Sequence, residues 1–143
     1  MKNLRQKLSF IVLLFGIAVN AQNLTDKEIN NRDIIPFALI ENPPLAPYCI
    51  DKECTSRFIQ KQVERKFNTD LISEVGISGK IQVMIEFIID IEGKPIKITA
   101  NGGPEIINQN AIDVIADLPK FKPGMKDGKP INVSYVLPVF ISN

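Results

Sequence analysis

Among the residues of this chain that could do covalent chemistry, the two cysteines, Cys49 and Cys54, give the clearest signal, and four residues separate them. The 143-residue chain contains no histidine and no tryptophan. Without histidine, a Ser-His-Asp triad, a Cys-His dyad and a His-ligated zinc or haem site are all excluded. What the two thiols do therefore depends on the compartment that the chain reaches.

The first 21 residues predict that compartment. Three basic residues precede an uncharged apolar run at residues 8–19, and Val19 and Ala21 occupy positions −3 and −1 of a cleavage point before Gln22. As a helix the run would rise only about 18 Å, which is short of the roughly 30 Å hydrocarbon core of a bilayer. The pattern favours a secretory signal peptide at residues 1–21 over an uncleaved anchor.

Export changes the meaning of the charge and of the cysteines. Removing residues 1–21 leaves 14 basic and 16 acidic residues, a net charge of −2, which disfavours nucleic acid as a partner. In oxidising surroundings, an even number of nearby cysteines predicts a disulfide, here between Cys49 and Cys54. A redox centre is less favoured because the spacing is not C-x-x-C. A metal site is also less favoured, since two thiols are too few ligands.

Other polar groups give weaker signals for catalysis. The serines have no histidine base, and Lys122 and Lys129 stand in a Gly/Pro-rich turn that does not suit a Schiff-base lysine. The turn at residues 101–103 precedes a predicted helix and could hold an anion, but it lacks the spacing and the Lys-Ser/Thr ending of a phosphate loop. We therefore predict a binding protein rather than an enzyme, with no cofactor, no metal and no small-molecule substrate.

The remaining chain predicts a polar tether at residues 22–33 and one domain at residues 34–143. Residues 55–68 have apolar positions every four residues, which predicts a helix capped by Thr55 or Ser56. Residues 81–89 alternate apolar and other side chains, which predicts a strand, and residues 90–93 predict the turn of a hairpin with its return strand at residues 95–100. A second helix follows Pro104 and ends before Pro119, and a last strand covers residues 131–141.

This order predicts an α+β domain. Its small antiparallel sheet has three strands, or four if residues 34–40 add an edge strand, and two helices pack on one face of the sheet. Pro138 cannot donate to a ladder, so the last strand has a free edge at least locally.

The hairpin at residues 79–98 and the C-terminal segment resemble the TonB C-terminal domain family. In that family a Pro-containing turn and an aromatic or Met residue lead to a K-P-G…G-K-P loop and a final V-x-V-x-Y-x-L-P strand. The loop positions in this chain are Phe121, Lys122, Pro123, Gly124, Gly128, Lys129 and Pro130, and the turn and strand positions are Leu118, Pro119, Val133, Tyr135, Leu137 and Pro138. The segment before them resembles a subgroup with paired cysteines before the first helix.

The resemblance implies two helices against a three-stranded antiparallel sheet, and it implies a role in the periplasm. Family members bind a peptide of an outer-membrane TonB-dependent receptor, which adds as a strand to the sheet during transport across the outer membrane. The implied docking edge is the last strand, at Ile131, Asn132, Val133, Ser134, Tyr135, Val136 and Leu137. The alternative is a structural or self-associating envelope protein, such as a homodimer, that uses the same edge without energy transduction.

The sequence differs from the full-length pattern of the family in two respects. It has a cleavable signal where the family has a membrane anchor, and about a dozen polar residues where the family has a long spacer. We therefore expect a free periplasmic module that binds a receptor peptide or another envelope protein.

Overall fold

The computed structural model describes residues 33–142. The predicted signal peptide and all of the predicted tether except Asp33 lie outside the described residues. The elements in chain order are β1 (Ile34–Pro36), α1 (Lys52–Lys66), α2 (Asp70–Glu74), β2 (Lys80–Ile89), β3 (Pro95–Asn101), α3 (Glu105–Ala116), β4 (Gly124–Lys126) and β5 (Lys129–Ser142). Within residues 33–142, no helix is long and apolar enough to cross a membrane.

The sheet is built around β2, whose alternating pattern makes it the central strand. Val83, Ile85, Phe87 and Ile89 are buried on one face, as the period of two predicts. The strands lie in the order β1-β5-β2-β3, with β4 paired to β5 outside that path. β5 and β3 are antiparallel to β2, while β1 is parallel to β5. The predicted three-stranded antiparallel sheet is thus confirmed, and the two short strands enlarge it.

The helices cover the buried face of this sheet and complete the core. α1 buries Ile59 and Val63, and α3 buries an apolar stripe of its own. The spacing of these positions gives each helix one apolar side, which can be buried only against the sheet or another helix. The buried residues of α3 are Ile107, Ala111, Val114 and Ile115. The predicted α+β architecture is confirmed.

The start of α1 differs from the prediction. The N-cap is Asp51, whose side chain accepts a hydrogen bond from the Cys54 amide at 2.7 Å. The predicted caps Thr55 and Ser56 both lie inside the helix. Thr55 is fully buried and its hydroxyl accepts from the Ala46 amide at 3.1 Å, while the Ser56 hydroxyl accepts from Tyr135. Asp and Thr are both good caps. Here the Thr55 hydroxyl accepts from the buried Ala46 amide instead of capping the helix.

The β2–β3 turn is held by Asp90 and Gly93. One carboxylate oxygen of Asp90 accepts from the amides of Glu92 and Lys94, and the Gly93 amide donates to the Asp90 carbonyl at 2.9 Å. Gly93 has a φ of +84° and packs so closely on the Phe121 backbone that a Cβ would collide with the Phe121 carbonyl. The predicted hairpin turn is confirmed, and it requires glycine for both reasons.

Candidate functional site

The predicted disulfide is present and braces the segment before α1. Cys49 and Cys54 are bonded, with their Cα atoms 5.4 Å apart. Two further contacts anchor this segment: the Ala46 amide donates to Thr55, and Leu45 exchanges backbone hydrogen bonds with Lys122 at 3.0 and 2.9 Å. The loop before α1 is therefore tied to the helix and to the loop before β4.

The family-motif loop contains a hairpin in which β4 pairs with the start of β5. The Phe121 ring is buried, in edge-to-face contact with Phe58 at a centroid distance of 6.4 Å. Gly124 lies against Val133, where a Cβ would have almost no room. Asp127 and Gly128 both have positive φ, which suits a two-residue hairpin turn. Beyond this turn, Lys129 and Pro130 pair with Lys126 and Met125 of β4.

The predicted docking edge is divided into a covered and an open half. Ile131 pairs with Gly124 of β4, and residues 132–134 pair in parallel with β1. The Phe37 amide extends this cover by donating to the Ser134 carbonyl at 2.8 Å. No strand of the described part of the chain pairs with β5 opposite β2 beyond Ser134. The open half of β5 is therefore residues 136–142, which overlaps the predicted range only at its end.

The direction of the main-chain groups follows from the Ser134 carbonyl. In an antiparallel ladder, successive residues direct their N–H and C=O alternately toward and away from the partner strand. Because Ser134 faces away from β2, Val136 and Phe140 also direct their N–H and C=O to the open edge. Pro138 lies between them, so its missing N–H removes no bond to β2. In the sequence, Pro138 was the residue that indicated a free edge, although the predicted docking edge ended at Leu137.

The side chains of β5 divide by face. Val133, Tyr135 and Leu137 are buried against the helices, so their side chains are not available to a partner. Val136 and Phe140 are 57% and 58% exposed on the opposite face of the sheet. The Lys80 amine lies over the Phe140 ring, 4.3 Å from its centroid. An added strand would therefore meet two apolar side chains and one ammonium group on this face.

Tyr135 lies where the covered half of β5 meets the open half. Its hydroxyl donates to Ser56 at 3.0 Å, and its ring contacts Phe37 at a centroid distance of 4.8 Å. Burial raises the pKa of Tyr135 above its ordinary value of 10.0, while the hydrogen bond to Ser56 lowers it by a smaller amount. The neutral phenol is therefore the form that fits the fold.

The other edge of the sheet, on β3, is shaped differently. β3 begins at Pro95, and its pairing with β2 shifts register between Glu86 and Ile88. Two residues, Lys97 and Ile98, here oppose Phe87 alone, and Lys97 has a φ of +50°. A proline and a bulge are two ways in which proteins prevent edge pairing.

Comparison with known proteins agrees with this geometry. Residues 73–140 match the family model described as Gram-negative bacterial TonB protein C-terminal. Residues 73–140 therefore belong to the TonB C-terminal domain family. No curated protein and no solved structure matched the chain.

The matched part of the TonB C-terminal domain extends from α2 into the open half of β5. It includes the hairpin, α3, the motif loop and the junction at Tyr135. β1, the disulfide loop and α1 precede the match and pack on it. Among residues 33–142, no group of three or more His, Cys, Asp or Glu side chains could hold a metal ion.

Proposed function

We propose that this protein is a periplasmic binding module of TonB-dependent transport, exported by its signal peptide. It captures an extended peptide of an outer-membrane receptor, which adds as a strand to the open half of β5. The observation that supports this most directly is the unpaired row of main-chain groups at Val136 and Phe140, inside a TonB C-terminal domain. Such a row is a template for another strand.

The edge also limits the register of the peptide. Donors are available at Val136 and Phe140, whereas Pro138 offers only its carbonyl. The exposed side chains of Val136 and Phe140 favour apolar residues at alternate positions of the peptide. The added strand would continue the line of β1 along the same edge, because β1 leaves β5 after Ser134.

The test is NMR with a synthetic peptide copied from the plug-side N-terminal segment of a TonB-dependent receptor of the same cell. Without peptide, the Val136 and Phe140 amides should exchange with solvent much faster than the Tyr135 and Leu137 amides, which face β2. With peptide, Val136 and Phe140 should shift and become protected. An absence of shifts at saturating peptide, or shifts confined to other elements, would refute strand addition.

Two variants at position 136 distinguish the contribution of the main-chain N–H to peptide binding from that of the side chain. Val136→Pro removes an outward donor and should weaken peptide binding at least about fivefold, the worth of one hydrogen bond. Val136→Thr keeps the N–H and should bind within about twofold of the parent. If the parent instead self-associates in sedimentation experiments and Val136→Pro does not, the edge serves a self-associating envelope protein.

A further inference from the structure

The segment before α1 presents the most exposed large apolar side chains of residues 33–142. Tyr48 and Ile50 are 103% and 88% exposed, and Leu39, in the turn after β1, is 75% exposed. Single exposed apolar residues are ordinary on protein surfaces. Here Tyr48 and Ile50 flank one half-cystine, Cys49, so both project from the same short loop, residues 45–50, which we call the Tyr48 loop.

The Tyr48 loop is anchored at both ends in this exposed form. The disulfide ties Cys49 to α1, and the pairs Leu45–Lys122 and Ala46–Thr55 tie its other end. Tyr48 has a φ of +66°, a conformation that residues with a Cβ adopt rarely and at a cost. Strain of this kind persists only where the surroundings impose it, and it often accompanies a functional role.

Positive charge adjoins these apolar side chains. An open depression is lined by the Tyr48 loop together with Lys120 and Lys122, and no carboxylate is among its lining residues. A third lysine, Lys52, donates to the Ala38 carbonyl beside Leu39. The acidic residues that follow the loop directly in the chain are Asp51, whose carboxylate caps α1, and Glu53 in the first turn. The charged residues that line the depression are therefore both lysines.

We propose that the Tyr48 loop is a membrane-surface anchor that inserts Tyr48 and Ile50 among the headgroups of a bilayer containing anionic phospholipid. Lys120 and Lys122 then contact lipid phosphates, and their long side chains keep the amines at the surface. Tyrosine suits this zone because its ring is apolar and its hydroxyl stays hydrated. Tyr48 and Ile50 project from the surface and the depression beside them is open, so a bilayer can accept these side chains without a complementary cavity.

The anchor is separate from the open half of β5 and goes beyond the proposed peptide binding. Lys122 follows Phe121, whose amide donates to Gly93 at the β2–β3 turn. The open half of β5 instead pairs with the beginning of β2, as far as Lys80. The two surfaces therefore lie toward opposite ends of the sheet, and a membrane-bound domain would keep its docking edge free.

Tyrosine fluorescence of the full chain tests this anchor. The chain has two tyrosines and no tryptophan, and Tyr135 is buried, so emission accessible to an external quencher comes from Tyr48. The probes are vesicles of phosphatidylcholine alone, or of equal parts phosphatidylcholine and phosphatidylglycerol, with acyl chains brominated near the headgroup. Bromine should quench Tyr48 in the anionic vesicles and much less in the zwitterionic ones.

The readout is local, which matters because residues 8–19 could enter a bilayer on their own. The double variant Lys120→Gln/Lys122→Gln should raise the lipid concentration needed for quenching about thirtyfold, from the loss of two surface lysines. Ile50→Ser should weaken quenching, whereas the control Ile106→Ser, an exposed isoleucine on α3, should not. Thermal melting of each variant confirms that it is folded.

Three results would overturn the anchor. The first is vesicle binding without quenching of Tyr48, which would mean that another segment makes the contact. The second is equal quenching in both lipid mixtures or in the lysine variants, which would remove the role of charge. The third is an absence of quenching in the anionic vesicles, which would leave the exposed loop to a protein partner.

Discussion

The two edges of the sheet differ in how regular their backbone is. The β3 edge begins with Pro95 and carries a bulge at Lys97 with positive φ, so it offers no straight row of main-chain groups. On the β5 edge, β1 and β4 cover the first residues, and residues 136–142 continue as a regular ladder with β2. An exposed regular edge is a risk of aggregation that proteins ordinarily suppress. The open half of β5 is therefore the regular, unpaired edge of the sheet within residues 33–142.

A proline lies in each half of the β5 edge, in β1 of the covered half and in β5 itself in the open half. β1 can use Pro36 because its pairing residues are Ile35 and Phe37, which flank the proline. β5 can use Pro138 because that position faces away from β2. In both strands, proline lies where no N–H is required, and only in the open half does it limit what a partner can bind.

The largest expected loss of stability is at the β2–β3 turn, beside the β3 edge. Gly93→Ala should destabilise the protein by roughly 3 kcal/mol or more, because the new Cβ meets the Phe121 backbone and φ stays positive. Gly128→Ala is the matched control: its φ is +74°, but its Cβ has open space, so the loss should be about 1 kcal/mol. Urea unfolding measures both. Equal losses would show that the contact with Phe121 is unimportant.

The next largest effect is on the stability of the segment by which β1 covers the first half of β5. Replacing both Cys49 and Cys54 by serine should reduce stability by about 2 kcal/mol, the entropy of closing so short a loop in the unfolded chain. Because the disulfide braces the segment that follows β1, the Phe37 amide should lose more exchange protection than amides of β3. Uniform loss across the sheet would contradict this link between the disulfide and the covered half.

A smaller effect of opposite sign is expected at the bulge. Lys97→Gly should stabilise the domain by about 1 kcal/mol, because glycine adopts positive φ without steric cost. Lys94→Gly, in the nearby turn, lacks positive φ and serves as a control that should not stabilise. A loss of stability in Lys97→Gly would mean that the lysine side chain has a role in the fold that outweighs its backbone strain.

The smallest effect concerns Tyr135 at the junction of the two halves. Its pKa is raised in the folded state, so the neutral phenol contributes stability that is present below pH 10 and lost as the pH rises above that value. The free energy of unfolding should therefore fall as the pH rises above 10. In the Tyr135→Phe variant, the free energy of unfolding should fall less steeply. Parallel pH profiles of the two proteins would exclude Tyr135 as the source.

Local patterns in the sequence predicted much of this molecule. The alternation at residues 81–89 defined β2 and its buried face, since side chains alternate across a strand. The ordered motif from Leu118 to Pro138 identified the domain, and the cysteine pair predicted the disulfide. Each of these signals is contained in a short stretch of chain.

Contacts between distant residues decided the rest. Asp51 replaced Thr55 as the cap of α1 because Thr55 binds the Ala46 amide. The pairing of β1 with residues 132–134 joins two ends of the domain, and no local pattern records it. By itself, the sequence determined the three long strands, their buried faces and the resemblance to the family. Only the tertiary structure decided which half of β5 is open, because an edge is defined by the strand that lies beside it and not by its own residues.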